Sequence, residues 1–410
     1  MKLPILRRLS NGLRAIFVPQ EAESIAVGVF IASGARHESE RTAGISHFIE
    51  HMLFKGTPTR RPIDITMAFE GCGGNFNAYT GEDTTCYWAH LPNEHIDEAI
   101  DIFSDMYLNS TIPTNEFERE KQVIIEEIKM YADEPDQVAM ETMQRNLFNG
   151  SQLGSPVEGS VDSLQPMTPS ILRRYIKEHY LPTNTVVVVV GKFDLESAYK
   201  TVNSRFGKFK RNIVGPIAMD NPFVKKPIAT QTIHKSINQA QLALGYRTFG
   251  ITDPYNYALV LLDAILGRGM SSRLFQSVRE KRGLSYDISS RMQFFVDAGI
   301  FTISAGLDSA KTQTALRVIE KEIKRICEHK IPAKEIKRTK DFLIGNFRLS
   351  HEKITSQMLF YGQTALSFNR LVMPSEQIEA ISNVSADELM AVANRIFKST
   401  NRSICWVLPK

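Results

Sequence analysis

The sequence is poor in the features that mark special classes of protein. It has four cysteines in 410 residues, Cys72, Cys86, Cys327 and Cys405, and no C-x-x-C pair. Nothing therefore points to a disulfide scaffold, a thiolate zinc site or a redox dithiol. Neither sign of charge dominates: 49 Lys and Arg stand against 45 Asp and Glu, a formal charge of +4. Over this length that is too little to imply a nucleic-acid or anionic-membrane partner. Long hydrophobic runs are missing as well. The longest purely aliphatic stretch, 186–190, falls far short of the ~20 residues that span a bilayer. Residues 1–8, MKLPILRR, lack the apolar core and small-residue cleavage site of a signal peptide, so a reducing compartment is expected. What remains is ordinary globular composition, 43% hydrophobic and 23% charged, which argues against disorder. The chain is longer than the roughly 250–300 residues at which single cores stop growing, so two domains are expected.

An internal duplication supports that expectation. IPTNEFEREK at 112–121 recurs as IPAKEIKRTK at 331–340, with Ile, Pro, Glu, Arg and Lys at the same five offsets, 219 residues apart. A second echo closes each half: Tyr180, Thr183 and Asn184 before the aliphatic run 186–190, and Phe397, Thr400 and Asn401 before 404–407, with 217 residues between the threonines. Two echoes at a consistent separation point to a repeat of whole domains, not to a solenoid with a period of about 20–50 residues. The seam is expected around 211–226, where Gly215, Pro216 and Pro222 interrupt any periodic pattern.

Each half reads as mixed strands and helices. In the first, 13–18 and 24–32 read as strands, 42–54 as a helix, and 75–91 as a strand pair rich in Thr, Tyr and Trp that turns at Gly81-Glu82-Asp83. Helices follow over 94–108 and 114–131; the second half repeats the plan with strands in 229–246 and 285–307 and helices at 255–266, 311–328 and 333–347. Hairpin strands mixed with helices favour an α+β fold: two homologous domains, each a mostly antiparallel sheet with helices packed on one face.

The chemistry concentrates in His47-Phe48-Ile49-Glu50-His51, inside the first helix. Residues four apart lie on one helical face, so His47 and His51 can converge on one cation. Glu50 projects near the same face and can reach a metal-bound water without being a ligand. The familiar H-E-x-x-H order is absent, since His37-Glu38 and His351-Glu352 each lack the second histidine. A catalytic zinc needs a third protein ligand. The helix at 116–130 offers Glu116, Glu118, Glu120, Glu126 and Glu127. Glu120 and Glu127, two turns apart, share a face and form a reasonable pair, but spacing alone does not choose among the five. Read by itself, such a helix is most simply a solvated charged face.

GISHFIEHMLFKGT at 44–57 resembles the signature of the inverzincin metallopeptidases, the pitrilysin/insulinase family, and within it the mitochondrial processing peptidase-like branch. The resemblance covers essentially the whole chain and includes the family's metallohydrolase-like duplication. It implies one Zn2+ per chain, held by His47, His51 and a glutamate 76 residues after the second histidine, which is Glu127, with Glu50 as general base. A second family carboxylate, one heptad earlier, falls on Glu120 and supports the site from behind the ligands. At the 219-residue offset Glu120 and Glu127 correspond to Thr339 and Asn346, so the second copy has lost both carboxylates. It keeps REKRGLSY at 279–286, similar to the segment whose Arg and Tyr reach the substrate. Arg279 is thereby expected to hold the substrate backbone and Tyr286 to donate to the tetrahedral oxyanion. GGNFNAYT at 73–80 resembles the edge strand to which peptides pair in the family, and gives Asn77 and Ala78 as substrate-binding positions. Two departures stand out: His37 where relatives carry an aromatic, to which no role is assigned, and a short Gly267-Arg268-Gly269-Met270 instead of the long glycine-rich loop of the non-catalytic processing subunit.

The expected function is a zinc-dependent endopeptidase that hydrolyses extended, unfolded peptides or presequence-like segments. The alternative is a catalytically silent, peptide-binding subunit of a processing-peptidase-like dimer. The expected division is a zinc-binding catalytic domain at 1–210, a linker at 211–226 and a homologous non-zinc domain at 227–410 that completes the active site. With half the four domains of long single-chain relatives, the chain is expected to form a homodimer, or a heterodimer with a related chain. Peptides are the expected partners, with no nucleic acid or membrane, and the expected location is a bacterial cytoplasm.

Overall fold

The structure is a computed structural model and describes residues 3–209 and 219–410; residues 211–218 of the expected linker lie outside the described residues. The first half of the chain forms β1 (Ile5–Arg8), β2 (Arg14–Pro19), β3 (Ser24–Ile31), α1 (Ile45–Leu53), α2 (Pro62–Glu70), β4 (Asn75–Thr80), β5 (Thr85–Pro92), α3 (Ile96–Asn109), α4 (Thr114–Asp133), α5 (Pro135–Leu147), a short α6 (Val161–Leu164), α7 (Pro169–His179), β6 (Thr185–Gly191) and α8 (Leu195–Phe206). The second forms β7 (Thr230–Lys235), β8 (Ala240–Phe249), α9 (Asn256–Leu266), a π-helical segment (Phe275–Glu280), β9 (Ser285–Phe294), β10 (Ala298–Leu307), α10 (Thr312–Glu328), α11 (Ala333–Ser350), α12 (Ile354–Phe368), α13 (Pro374–Asn383), α14 (Ala386–Ile396) and β11 (Arg402–Pro409). Proline opens α2, α5, α7 and α13. Its φ suits the first helical position, where the N–H it lacks has no intrahelical acceptor.

The chain divides into two compact units, and neither is a continuous half. The first comprises 1–128, 155–220 and 349–372, and the second 129–154, 221–348 and 373–410. The expected boundaries at 1–210 and 227–410 are thus crossed twice, because the segment carrying α5 packs with the second sheet and the segment carrying α12 with the first.

In the first unit six strands run in the order β1-β2-β6-β3-β5-β4, antiparallel except for the parallel pair β2–β6. The valine run of β6 is buried throughout, as expected of a central strand covered on both faces. Side chains alternate between two cores with the period of a strand. Val187, Val189, Val27, Val29 and Phe17 face a core shared with α1, α3, α7 and α8. Val186, Val188, Val190, Phe30 and Ile16 face Met358, Tyr361 and Ala365 of α12. That helix lies close because two glycines leave room: a Cβ on Gly28 would come within 2.3 Å of Met358 Sδ, and one on Gly362 within 2.3–2.4 Å of three Phe30 ring carbons.

The second unit repeats the device. Its five strands run β7-β11-β8-β10-β9, with β7–β11 the parallel pair. Leu242, Leu244, Phe301 and Trp406 face α9, α10 and α14. Ala243, Ile300, Cys405 and Val407 face Ala139, Met143 and Leu147 of α5. Helices of the same half cover one face of each sheet, and a single helix from the other half covers the second.

Candidate metal centre

The first turn of α1 is built by a residue outside it. Gly44, the residue before the helix, is left-handed at φ 91°, and a Cβ there would stand 2.4 Å from Glu158 O, so glycine is required. Gly44 has no side chain to cap the helix. The buried Glu38 carboxylate does this instead, accepting from Gly44 N and Ser46 N at 2.7 Å each. Burial pushes the Glu38 carboxyl up to about 7 despite these bonds. On α1, Phe48 stacks on Phe117 of α4 with ring centroids 4.6 Å apart, which brings the histidine-bearing helix against the glutamate-bearing one.

Across that contact His47 and His51 meet Glu127. One ligating atom from each of the three lies within 4.8 Å of the others. Glu127 Oε2 is 3.2 Å from His47 Nε2 and 3.8 Å from His51 Nε2. Donors bonded to one tetrahedral zinc at about 2.0–2.2 Å stand about 3.4 Å apart, so closing this group on a cation needs only small side-chain shifts. Two imidazoles and a carboxylate are the three-ligand set of a catalytic zinc with a fourth position open, and the residues fit that ion.

The neighbours orient these ligands. His51 Nδ1 is 3.0 Å from Glu120 Oε2, which sets the proton on Nδ1 and leaves Nε2 for a metal. Lys55 Nζ holds the other Glu120 oxygen at 2.7 Å. Burial would raise the Glu120 carboxyl, but His51 and Lys55 hold it below the ordinary carboxylate range. Glu50 Oε2 lies 3.6 Å from His47 Nδ1 and accepts from Thr80 Oγ1 at 2.5 Å. Burial pulls the His47 imidazolium down, yet hydrogen bonds and charge from Glu127 and Glu50 raise it to about 10. This excess of negative charge around two imidazoles is what a divalent cation neutralises.

Of the five glutamates of α4, Glu120 and Glu127 face α1; Glu118 and Glu126 are exposed, and Glu116 pairs with Arg119 at 3.2 Å. Asn77 and Ala78 lie on β4, the strand at the edge of its sheet, and Ala78 N donates to Asn77 Oδ1 at 2.8 Å. Arg279 and Tyr286 belong to the second unit. There the Arg279 guanidinium lies 4.8 Å from the Phe275 ring centroid and 5.2 Å from that of Tyr286, whose side chain is largely exposed. His37 accepts from Gly34 N at 3.1 Å, and burial, then the Arg36 charge, lowers its imidazolium to about 4. Among the described residues no second group of potential metal ligands is present, and α9 contains neither His nor Glu. Sequence reasoning missed Thr80, Lys55 and Glu38. Only Thr80 left a usable signal, because it shares the period-2 face of β4 with Phe76 and Ala78, which pack on the same core as α1.

Comparison with known proteins places the chain in a family. The family model described as "Insulinase (Peptidase family M16)" matches residues 16–161, and that described as "Peptidase M16 inactive domain" matches residues 166–343. The chain belongs to peptidase family M16. It is 33% identical to an uncharacterized zinc protease of Bacillus subtilis over 390 residues, 94% of either chain. It is also 33% identical over 401 residues to an uncharacterized zinc protease of Rickettsia felis, covering 97% of this chain and 96% of the relative. The crystal structure of a protease from Helicobacter pylori shares the fold with a TM-score of 0.92 at 23% identity, over 99% of each chain. No helix among the described residues is long and apolar enough to cross a membrane.

Proposed function

We propose that the protein is a zinc-dependent endopeptidase acting on extended, unfolded peptides, with one zinc per chain held by His47, His51 and Glu127. The observation that carries this reading is the convergence of those three ligating groups within 4.8 Å, with the Glu50 carboxylate beside them. A zinc ion bound there supplies Lewis acidity, lowering the pKa of water from about 15.7 towards 7. Glu50 takes the proton of the attacking water and returns it to the leaving amine. Glu120 keeps the His51 ring turned so that Nε2 faces the ligand group. The open edge of β4, at Asn77 and Ala78, holds the peptide by backbone pairing, which selects extended conformation over any one side chain. Arg279 and Tyr286 retain in this reading the roles of backbone holder and oxyanion donor. A homodimer belongs to the same reading; light scattering that finds only monomer at micromolar concentration contradicts it.

The test is a mixed peptide library incubated with the zinc-loaded protein, with and without a chelator, and with Glu50→Gln. Cleavage that is lost with chelator and in Glu50→Gln, at unchanged zinc stoichiometry, is the expected result. Zinc binding without any cleavage supports the rival reading, a silent peptide-binding subunit.

A further inference from the structure

We infer that Thr80 is a positioning residue for the Glu50 carboxylate, and that the segment 33–38 braces it from outside the site; this rests on the peptidase reading above. β4 is the edge strand, and its residues alternate. Phe76 and Ala78 pack on the core shared with α1, Tyr79 on the opposite core, and Thr80 returns to the α1 side, where its hydroxyl donates to Glu50 Oε2 at 2.5 Å. Among the described residues no other hydrogen bond of the Thr80 side chain competes for that proton. The bond occupies one carboxylate oxygen and fixes the plane of the group, leaving Oε1 for the proton it must receive.

The strand end that carries Thr80 is not free to wander. The turn after it closes with Gly81 N on Thr84 O at 2.9 Å. It is tied to the neighbouring segment by Ala35 N to Gly81 O at 3.1 Å, Arg36 N to Glu82 O at 3.0 Å, and Thr85 Oγ1 to Ser33 O at 2.9 Å. The fully buried Arg36 side chain adds an ion pair to Asp83 at 3.0 Å. A Cβ on Gly34 would stand 2.2 Å from Gly81 O, so the two backbones touch. Two residues on, the same segment supplies Glu38, which holds the first turn of α1. One short segment therefore fixes both partners of the Thr80–Glu50 bond, the strand end and the helix. Because Thr80 lies three residues from Asn77 on the strand that pairs with peptide, an extended substrate there settles the same strand that aims the base.

The experiment compares Thr80→Val and Thr80→Ser with the wild type, zinc-loaded, on one unstructured peptide. Thr80→Val is expected to lower kcat about ten- to a hundred-fold with KM unchanged. Thr80→Ser, which keeps the hydroxyl, restores kcat, and Thr80→Val added to Glu50→Gln lowers the residual rate no further. Crystal structures of both valine and wild-type proteins give a readout independent of turnover: the Glu50 carboxylate swings away from its wild-type position only in Thr80→Val. A folded, zinc-loaded Thr80→Val with wild-type kcat, a serine variant as slow as the valine one, or an unmoved Glu50 carboxylate overturns the proposal. If the wild type cleaves nothing, the peptidase reading fails, and the Glu50 position in the two crystal structures still decides the role of Thr80.

Discussion

Glu120→Gln separates a residue that orients a metal ligand from one that binds the metal. Glu120 is buried and uses both oxygens, one on His51 Nδ1 at 3.0 Å and one on Lys55 Nζ at 2.7 Å. Glutamine offers one oxygen and one NH2 group, so whichever way the amide turns, one of the two donors faces another donor. Lys55 carries a full charge and takes the oxygen, which leaves the His51 Nδ1–H without its acceptor. The imidazole then loses both its fixed tautomer and its fixed ring orientation. Losses of this kind weaken metal affinity about 10–100-fold, or about 1.4–2.7 kcal/mol. Competition of the refolded variant against a chromophoric chelator measures this, with circular dichroism as the check on folding. At saturating zinc, kcat should recover, because Glu50 and Thr80 are untouched. Lys55→Met, which leaves the carboxylate on His51, should weaken zinc by less than about ten-fold. Unchanged zinc affinity in a folded Glu120→Gln would refute the positioning role. Full zinc occupancy with lost turnover would instead put Glu120 in the chemistry itself.

Three further outcomes are expected. Gly362→Ala gains roughly 1 kcal/mol of helix propensity. Its methyl, however, meets a fully buried Phe30 ring at 2.3–2.4 Å, and overpacking of about 1–3 kcal/mol or more should win; chemical denaturation that finds the variant more stable contradicts the packing described for α12. His37 titrates near 4 in the fold against an ordinary 6.5. Its contribution to stability is therefore present above pH 6.5 and lost as pH falls through 4, about 3 kcal/mol in all. His37→Asn, which keeps an acceptor for Gly34 N, should flatten that acid limb in urea titrations between pH 6.5 and 4, and an unchanged slope refutes the assignment. Tyr286→Phe should lower kcat about a hundred-fold or more with little change in KM, as expected on losing an oxyanion donor; an unaltered kcat removes Tyr286 from the chemistry.

The histidine pair was legible because four-residue spacing on a helix is a geometric statement that needs no tertiary information. The hairpin of β4 and β5 was legible for a similar reason, its turn residues lying between two β-rich runs. Glu127 was legible only through the family resemblance: spacing by itself offered five glutamates on one helix, and what separates Glu120 and Glu127 from the rest is the face that the Phe48–Phe117 stack turns towards α1. Thr80 reads as one of three threonines in the strand pair 75–91, since hydrogen bonding to Glu50 depends on which strand end meets which helix. The exchange of α5 and α12 between the two sheets leaves a still fainter trace. An amphipathic pattern shows that a helix buries a face, but the sheet that receives it is written only in the small residues opposite, Gly28 and Gly245, hundreds of residues away for one of them.

Anomalous diffraction at the zinc edge, on crystals of the zinc-loaded protein, tests the metal centre most directly. The expected result is one ion at about 2.0–2.2 Å from His47 Nε2, His51 Nε2 and a Glu127 carboxylate oxygen, with Glu50 outside bonding distance. An ion coordinated elsewhere, or one that binds the two histidines with Glu127 out of reach, would contradict it.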